Sequence, residues 1–403
     1  MFQLIKRNAR FRVFVLAQCV LNSAEAAGNV IIPLVVLDLT GSATLVSFVV
    51  VLEMVPYFVF HLPFGALLDR HDRKRLMILA DFGRALLLLL VVIVHFLDGP
   101  VLIALFAVAV PFGTLASVSD AARSAIVPRL VEKTELEGAY GWTEATESVA
   151  WIAGPAIAGF TVATVGTVEA LSLVSAFLAA FALAIFFVRI DAPVHVSSSK
   201  SSILRDIREG LSFFLRHTRL RTMQLIWTAY GAVGHGVVLG LVYVGSGGDA
   251  SDALAASFAV SSYAAGSVLG TFCSGFLKLR TGIIPAWCLI VFSAGAMLIA
   301  QGGFHFLLTG AFLIGAGEGF LLVLYLSARA SHTPDHLMAR VVSASALFDK
   351  GAGMLAALWI GFSLSVVGGS ATFLVIAGFG MALAFLAVAL RSRLERRTGS
   401  PGP

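Results

Sequence analysis

Two long apolar runs, residues 46–68 and 76–97, are joined by a segment in which six of seven residues are charged. This segment, residues 69–75, reads Asp-Arg-His-Asp-Arg-Lys-Arg. Each run is long enough to cross a bilayer as a helix, which takes about 20 apolar residues. The charged segment cannot lie in hydrocarbon, so we expect two antiparallel membrane helices joined by a water-facing loop. Because Lys and Arg near membrane ends are retained in the cytoplasm, this loop is predicted to be cytoplasmic.

The composition extends this interpretation to the whole chain. Hydrophobic residues make up 58% of the 403 residues and charged residues only 13%, whereas soluble domains contain about 25% charged residues. The net charge of +5 lies in short loops, so we expect no nucleic-acid partner. The sequence has no Walker loop, nucleophile elbow or cluster of metal ligands, and Cys19, Cys273 and Cys288 fall within apolar runs. We therefore predict neither enzymatic activity nor a cofactor.

We predict an all-α membrane protein with twelve transmembrane helices in two pseudo-symmetric six-helix bundles. The spans are placed at 12–36, 44–68, 76–97, 101–122, 142–164, 168–189, 221–244, 253–279, 283–301, 304–328, 341–366 and 370–390. Residues 1–189 would form the N-terminal bundle and residues 221–391 the C-terminal bundle. Between them, residues 190–220 would form a cytoplasmic linker with an amphipathic helix, and residues 392–403 a cytoplasmic tail.

The distribution of positive charge orients the chain. The loops predicted on one side of the membrane contain no Lys or Arg, and only Arg84 and Lys350 lie inside a span away from its ends. Both termini are therefore predicted to be cytoplasmic. The first residues also fit a signal peptide, since Ala24-Glu25-Ala26, which resembles a cleavage site with small residues at its two outer positions, follows a basic and an apolar stretch. Apolar sequence continues to residue 39, which favours a retained membrane span.

The two halves show a weak internal repeat. A shift of 210 residues aligns Gly275, Leu277 and Arg280 with Gly65, Leu67 and Arg70. The same shift places the loop after span 8 on the loop after span 2. Binding sites of secondary transporters lie between such repeats, near the centre of the bilayer.

Two motifs resemble the major facilitator superfamily. The first consists of Gly65, Asp69, Arg70, Asp72, Arg73 and Lys74, and it resembles the family's loop signature with Asp72 where Gly is usual. The second consists of Gly141, Ala150, Gly154, Pro155, Ala158 and Gly159, and it resembles the antiporter motif of drug/proton exporters. Residues 120–131 are similar to the branch with macrolide efflux proteins and the enterobactin exporter. The span 4 arginine motif of many drug antiporters is absent.

The resemblance implies roles for these motifs. A cytoplasmic gate would contain Gly65, Asp69, Arg70, Arg73 and Asp120. In the outward-open state Asp69 would cap span 11 and Arg73 would pair with Asp120. The alternative is that the loop charges only set the topology. Gly154, Pro155 and Gly159 would form a hinge or seal between spans 5 and 8, and the alternative is ordinary helix packing.

Ionisable residues inside the spans are the candidate site, because charges in hydrocarbon usually face a cavity or a partner. The proton-carrier candidates are Glu25, Glu53 and His235. The candidates for a substrate cavity are Gln18, Asn22, Asn29, Tyr57, Glu318, Tyr325, Asp349 and Lys350. Spans 3, 6, 9 and 12, the outer helices by resemblance, are predicted to lack central charges.

Each candidate also has a purely structural interpretation as a static hydrogen bond or ion pair. Glu318 would then pair with Lys350, and we expect Glu144 and Glu147 to pair with Arg84 or Arg123. The function predicted from the resemblance is proton-coupled export of an amphiphilic small molecule, either drug/macrolide-like or a siderophore, by alternating access. The partners would be this substrate, protons and the lipid bilayer, and the protein would be a monomer in the cell inner membrane. The alternatives are a lysophospholipid transporter and a membrane sensor or scaffold without transport.

Overall fold

The structure is a computed structural model that describes residues 2–68, 72–188, 211–213, 216–276 and 283–390. Asp69 and Arg70 of the loop motif, most of the predicted linker and the predicted tail lie outside these residues. The described part of the chain is helical and contains no β-strand. The helices are α1 (Phe2–Arg7), α2 (Ala9–Thr40), α3 (Ala43–Leu68), α4 (Arg73–Phe96), α5 (Val101–Leu130), α6 (Leu136–Val165), α7 (Leu171–Phe187), α8 (Thr218–Gly245), α9 (Ala253–Phe276), α10 (Ile284–Ala300), α11 (Phe304–His332) and α12 (Asp335–Ala389).

Most of these helices suit a membrane. Within the described residues, eight helices are long and apolar enough to cross a bilayer, and three more are apolar but shorter. The longest helix, α12, has 55 residues and joins two helical stretches at Gly368, whose φ of 80° and ψ of 173° are not helical. The predicted break between residues 366 and 370 lies at this glycine. A positive φ is accessible to glycine at little cost, which explains a change of direction at this position.

Local sequence signals determine where several helices begin and end. The Asn8 side chain caps α2 by accepting a hydrogen bond from the backbone N–H of Phe11, and Gly41 ends that helix with a φ of 62°. Asp72 caps α4 in the same way, because its Oδ1 accepts from the N–H groups of Lys74 at 2.9 Å and Arg75 at 3.3 Å. Asp72 is the residue that departs from the family's loop signature. Its helix cap gives a physical reason for the departure.

The chain forms two compact units. Unit 1 consists of Met1–Ser199 and Gly245–Ser261, and unit 2 consists of Lys200–Val244 and Ser262–Pro403. In unit 1, α2 packs against α6 and α7, while α5 packs against α3 and α4. In unit 2, α10 packs against both α11 and α12. The start of α9 therefore belongs to unit 1, and the rest of that helix to unit 2.

Candidate functional site

Ionisable side chains from four helices meet inside unit 1. We call this group the unit 1 cluster, and its members are Glu25 of α2, Tyr57 of α3, Asp81 and Arg84 of α4, and Asp120 and Arg123 of α5. Because these residues come from distant parts of the sequence, only the helix packing brings them together. The cluster therefore depends on the tertiary structure of the unit.

Arg84 is the centre of the cluster. Its Nη1 donates to Glu25 Oε1 at 3.2 Å and to Asp81 Oδ1 at 3.0 Å. Its guanidinium also lies 4.6 Å from the centre of the Phe112 ring, within range of a cation–π interaction. Asp81 is fully buried, and its Oδ2 accepts a hydrogen bond of 2.5 Å from Ser119. One buried cation is thus shared by two carboxyl groups.

This arrangement bears on two sequence predictions. Arg84 pairs with Glu25 and Asp81, whereas Glu147 lies within electrostatic range of Arg123, the other predicted partner of Glu144 and Glu147. The predicted third span, α4, was expected to lack central charges, but it contains the buried Asp81–Arg84 pair. The reason is the spacing of Asp81 and Arg84, which places them on one face of α4. That face reaches Glu25 of α2, so the charges point into the unit. An acid and a base three residues apart in an apolar helix was the signal that could have identified this pair.

Asp120 links α5 to α3. It accepts a 2.7 Å hydrogen bond from the Tyr57 hydroxyl and forms an ion pair with Arg123. The sequence comparison with the family predicted a pair with Arg73 for the outward-open state. In this structure Tyr57 and Arg123 are partners of Asp120, and the pair with Arg73 stays a prediction. Arg123 also donates to Asn22 at 3.3 Å, which connects the predicted cavity residues of α2 to the cluster.

The polar stripe of α2 runs from the interior of unit 1 to its surface. Gln18 and Asn22 are buried, whereas Asn29 is exposed. Glu25 lies between them with 25% of its side chain accessible. Of the two carboxylates that bind Arg84, Glu25 is therefore the one that can exchange with water.

Glu53 lies one helical turn before Tyr57 on α3. Its side chain forms no hydrogen bond or ion pair with the described residues, but it is close enough to Arg84 for electrostatic interaction. The backbone of α3 approaches α5 closely here, since a Cβ added to Gly113 would lie 2.8 Å from the Glu53 carbonyl carbon. Glu53 is thus a fourth carboxyl group in this part of unit 1, within electrostatic range of Arg84.

A second polar group lies in unit 2 around Asp349 of α12. Asp349 Oδ1 accepts hydrogen bonds from Gln224 Nε2 and Thr228 Oγ1, both at 2.9 Å. Its Oδ2 accepts from Trp227 Nε1 at 3.2 Å. All three donors belong to α8 and are neutral. Their spacing of three and four residues places them on one face of that helix.

Tyr325 and Arg329 of α11 extend this group. The Tyr325 hydroxyl donates to Gln224 Oε1 at 2.6 Å and accepts from Arg329 Nη1 at 3.4 Å. The Tyr325 ring stacks on Trp227, with 5.2 Å between ring centres and 5° between the planes. We call Gln224, Trp227, Thr228, Tyr325, Arg329 and Asp349 the unit 2 cluster. Lys350 follows Asp349 on α12 and is half-buried.

Glu318, another predicted cavity residue, lies apart from the unit 2 cluster. Its carboxyl group accepts a hydrogen bond from the Tyr263 hydroxyl of α9, where the sequence interpretation suggested Lys350. Close packing of α9 against α11 sets this contact, because a Cβ on Gly319 would overlap the backbone of Ser267. The Glu318–Tyr263 pair therefore supports the static interpretation of Glu318.

The motif residues are placed as follows. Gly65 lies near the end of α3, and Arg73 is the first residue of α4. In α6, Gly154 and Pro155 are buried, and a Cβ on Gly154 would lie 2.7 Å from the Ala26 Cβ of α2. A Cβ on Gly159 would lie 2.9 Å from the Ala253 carbonyl oxygen at the start of α9. These glycines therefore allow α6 to approach both helices closely.

Sequence reasoning missed several residues of the two clusters, and the side chain of one predicted site residue cannot be placed. Sequence reasoning did not select Asp81, Arg84, Arg123, Gln224, Trp227, Thr228 or Arg329 as site residues. Polar residues recurring three or four positions apart within apolar helices were the available signal. His235 lies in α8, but its side chain is outside the described part of the structure.

Comparison with known proteins identifies the family. The model of the Major Facilitator Superfamily matches residues 14–248. Macrolide efflux protein A of Streptococcus pyogenes is 30% identical over 196 residues, which cover 47% of each chain. The match thus spans about half the length of that relative. The multidrug efflux pump Tap of Mycobacterium tuberculosis is 25% identical over 371 residues, covering 88% of this chain and 87% of the pump.

The fold is also similar to that of solved transporters. The crystal structure of the nucleoside transporter NupG superimposes with a TM-score of 0.77, covering 96% of this chain and all of that one, at 12% identity. At this identity the likeness concerns the fold alone. The family match extends over more than half of the chain. The relatives include efflux pumps, and the protein itself belongs to the Major Facilitator Superfamily.

Proposed function

We propose that the protein is a proton-coupled secondary transporter that exports an amphiphilic small molecule by alternating access. The observation that carries the proposal is the unit 1 cluster, an ionisable network inside a membrane protein. Family membership supports transport, and the names of the relatives support efflux of drug-like molecules such as macrolides.

The charges of the unit 1 cluster favour proton binding. Glu25, Asp81 and Asp120 supply three carboxyl groups against the two guanidinium groups of Arg84 and Arg123. Glu53 adds a fourth carboxyl group within electrostatic range of Arg84. If all were ionised, the cluster would carry two uncompensated negative charges. One such charge in hydrocarbon costs about 2.5–3.5 kcal/mol, so proton uptake by the excess carboxyl groups is favoured.

We assign the exchangeable protons to Glu25 and Glu53. Glu25 is partly accessible and shares Arg84 with Asp81, so protonation of Glu25 would leave Arg84 bound to Asp81 alone. Arg84 would then lose one of its two carboxylate partners and keep the other. Glu53 forms no ion pair with the described residues, so its protonation would break no such pair. When Glu25 releases its proton to the other side of the membrane, the ion pair between Glu25 and Arg84 would form again.

The remaining architecture follows the sequence interpretation. We infer twelve transmembrane helices in two pseudo-symmetric bundles, with both termini in the cytoplasm and the monomer as the functional form. Rocking of the bundles would expose the site alternately. The loop motif would close the cytoplasmic side, and Gly154, Pro155 and Gly159 would act as the hinge. The close approach of α6 to α2 beside Glu25 supports a coupling between this hinge and the unit 1 cluster.

Transport of radiolabelled erythromycin into proteoliposomes tests the proposal. In proteoliposomes where the export direction of the protein points into the vesicle, an imposed pH gradient is expected to drive uphill accumulation of erythromycin inside. An uncoupler is expected to abolish this accumulation. Glu25→Gln and Glu53→Gln should lose uphill accumulation but keep exchange of labelled for unlabelled drug. Asp252→Asn, a loop variant that retains its helix-capping oxygen, should behave like the parent protein.

Three outcomes would refute or redirect the proposal. Unchanged pH-driven accumulation by both glutamine variants would exclude Glu25 and Glu53 as proton carriers. Movement of lysophospholipid in place of erythromycin would favour a lipid transporter. Absence of flux for every compound, together with capture of a cytoplasmic partner protein, would favour a sensor or scaffold.

A further inference from the structure

The basic stretch where α1 meets α2 has no part in the proposed transport mechanism. It contains Lys6, Arg7, Arg10 and Arg12, and all four side chains are exposed. We call these four residues the basic junction. We propose that the basic junction binds the headgroups of anionic phospholipids, such as phosphatidylglycerol, in the leaflet that borders the start of α2. The inference concerns a lipid partner and does not depend on which molecule is transported.

The positive charge of the basic junction is not balanced by its surroundings. No Asp or Glu precedes Glu25 in the sequence. Lys6 and Arg7 form no hydrogen bond or ion pair with the described residues. Arg10 and Arg12 lie in the first turn of α2, where the helix dipole disfavours cations and no acidic residue offsets them. An external anion would supply the charge that the chain itself does not provide here.

The basic junction borders an exposed apolar surface. Helix α2 begins at Ala9 and is one of the helices long and apolar enough to cross a bilayer. On it, Val13 is 41% exposed and Leu16 is 63% exposed. Leu16 follows Arg12 by four residues, so these two exposed side chains share one face of the helix. A phospholipid whose acyl chain covers Leu16 would therefore bring its phosphate group to the level of Arg12.

The basic junction is a folded turn with a fixed shape. Asn8 separates α1 from α2 with a φ of −104° and a ψ of 95°, and its side chain accepts a 3.0 Å hydrogen bond from the N–H of Phe11. Asn8 Nδ2 also donates to the carbonyl oxygen of Leu130, at the end of α5, at 2.7 Å. On either side of Asn8, Leu4 and Phe11 are buried. A lipid that binds the basic junction would therefore also stabilise the contact between Asn8 and α5.

Hydrogen–deuterium exchange of the full-length protein in lipid nanodiscs tests the inference without substrate or ion gradient. Phosphatidylglycerol should slow amide exchange in residues 4–12 about tenfold relative to phosphatidylcholine, because each cation near an anionic surface strengthens association about fivefold. In Lys6→Gln/Arg7→Gln this slowing should fall to about twofold or less. Arg75→Gln/Arg216→Gln, which removes two other exposed arginines, is the matched control and should keep the full effect.

The variant Asn8→Ser separates lipid binding from its effect on α5. Serine keeps a capping oxygen for α2 but lacks the amide group that donates to Leu130. In the parent, phosphatidylglycerol should slow exchange at residues 126–130 as well as in α1. In Asn8→Ser the effect in α1 should remain and the effect on α5 should disappear. Retained protection of α5 in this variant would overturn the link through Asn8.

Three outcomes would overturn the lipid-binding surface itself. The first is equal exchange of the parent in the two lipids, and the second is an equal loss of the effect in the two double variants. The third is the same protection by inositol hexakisphosphate added to phosphatidylcholine nanodiscs, which would indicate a site for soluble polyanions. Because the measurement uses neither erythromycin nor a pH gradient, failure of the transport assay would leave the lipid result intact, and the reverse also holds.

Discussion

Helix α4 and its N-cap residue contain two Asp–Arg pairs with the same spacing and opposite surroundings, and they provide a matched test of buried charge. Asp72–Arg75 is a surface pair with 3.4 Å between Arg75 Nε and Asp72 Oδ2, and the Arg75 side chain is 83% exposed. Asp81–Arg84 is buried, with 3.0 Å between Arg84 Nη1 and Asp81 Oδ1. We expect Arg84→Met to destabilise the protein strongly and Arg75→Met to have almost no effect.

The magnitudes follow from solvent access. Removing one partner of a buried ion pair costs about 3–5 kcal/mol, because the other charge remains uncompensated. An exposed pair contributes about 0.2–1 kcal/mol. For a unit of roughly 200 residues, each kcal/mol changes the melting temperature by about 2–4 °C. Arg84→Met should therefore lower the melting temperature by about 6–20 °C, and Arg75→Met by no more than about 4 °C.

Differential scanning fluorimetry of the detergent-solubilised variants measures both effects. The double variant Arg84→Met/Asp81→Asn should recover at least half of the loss, because it removes the fully buried carboxylate that Arg84 neutralises. Glu25 is partly accessible and needs less compensation. If Arg84→Met melts within 2 °C of the parent, or if adding Asp81→Asn lowers stability further, the charge argument for the unit 1 cluster is wrong.

Three further predictions use the same melting assay. Gly113→Ala should destabilise the protein because its Cβ would overlap the α3 backbone, whereas Gly378→Ala, with no atom within 4 Å of the added Cβ, should not. Equal melting of the two variants would contradict the close approach of α3 and α5. Asp72→Ala should cost about 1 kcal/mol through loss of the α4 cap, and Asp72→Asn, which keeps a capping oxygen, should recover most of it. Tyr57→Phe should cost about 1–3 kcal/mol by leaving Asp120 without that donor, and no loss in this variant would mean that water replaces the hydroxyl.

The roles of the two family motifs stay predictions, but the position of the antiporter motif is clear. Its residues from Ala150 to Gly159 are buried in α6, and Gly154 and Gly159 contact α2 and the start of α9 closely. The loop signature is only partly within the described residues, so its gating role stays a prediction. Asp120 was selected as a gate residue, but Tyr57 and Arg123 are its partners in this structure. A motif identifies a residue as important without determining which neighbour it contacts in a given state.

What the sequence determined by itself was the class of protein, the positions of its helices and the family. Crossing a bilayer requires a continuous apolar segment, and this is a local property that can be read along the chain. The predicted spans accordingly lie within or close to the observed helices, and the break in α12 falls at Gly368. The choice of Glu25 and Asp349 as candidates followed from the cost of charge in hydrocarbon, which is also local.

Only the tertiary structure decided which polar groups meet. A membrane helix that is apolar on all sides has no amphipathic face, so its sequence does not show how it is rotated about its axis. The pairing of Arg84 with Glu25 joins residues 59 positions apart, and that of Asp349 with Gln224 joins residues 125 apart. Such contacts depend on rotation and packing of whole helices. For that reason the composition and the motifs predicted a transporter, whereas the shared arginine of unit 1 and the hydrogen-bonded carboxylate of unit 2 became visible only in the folded protein.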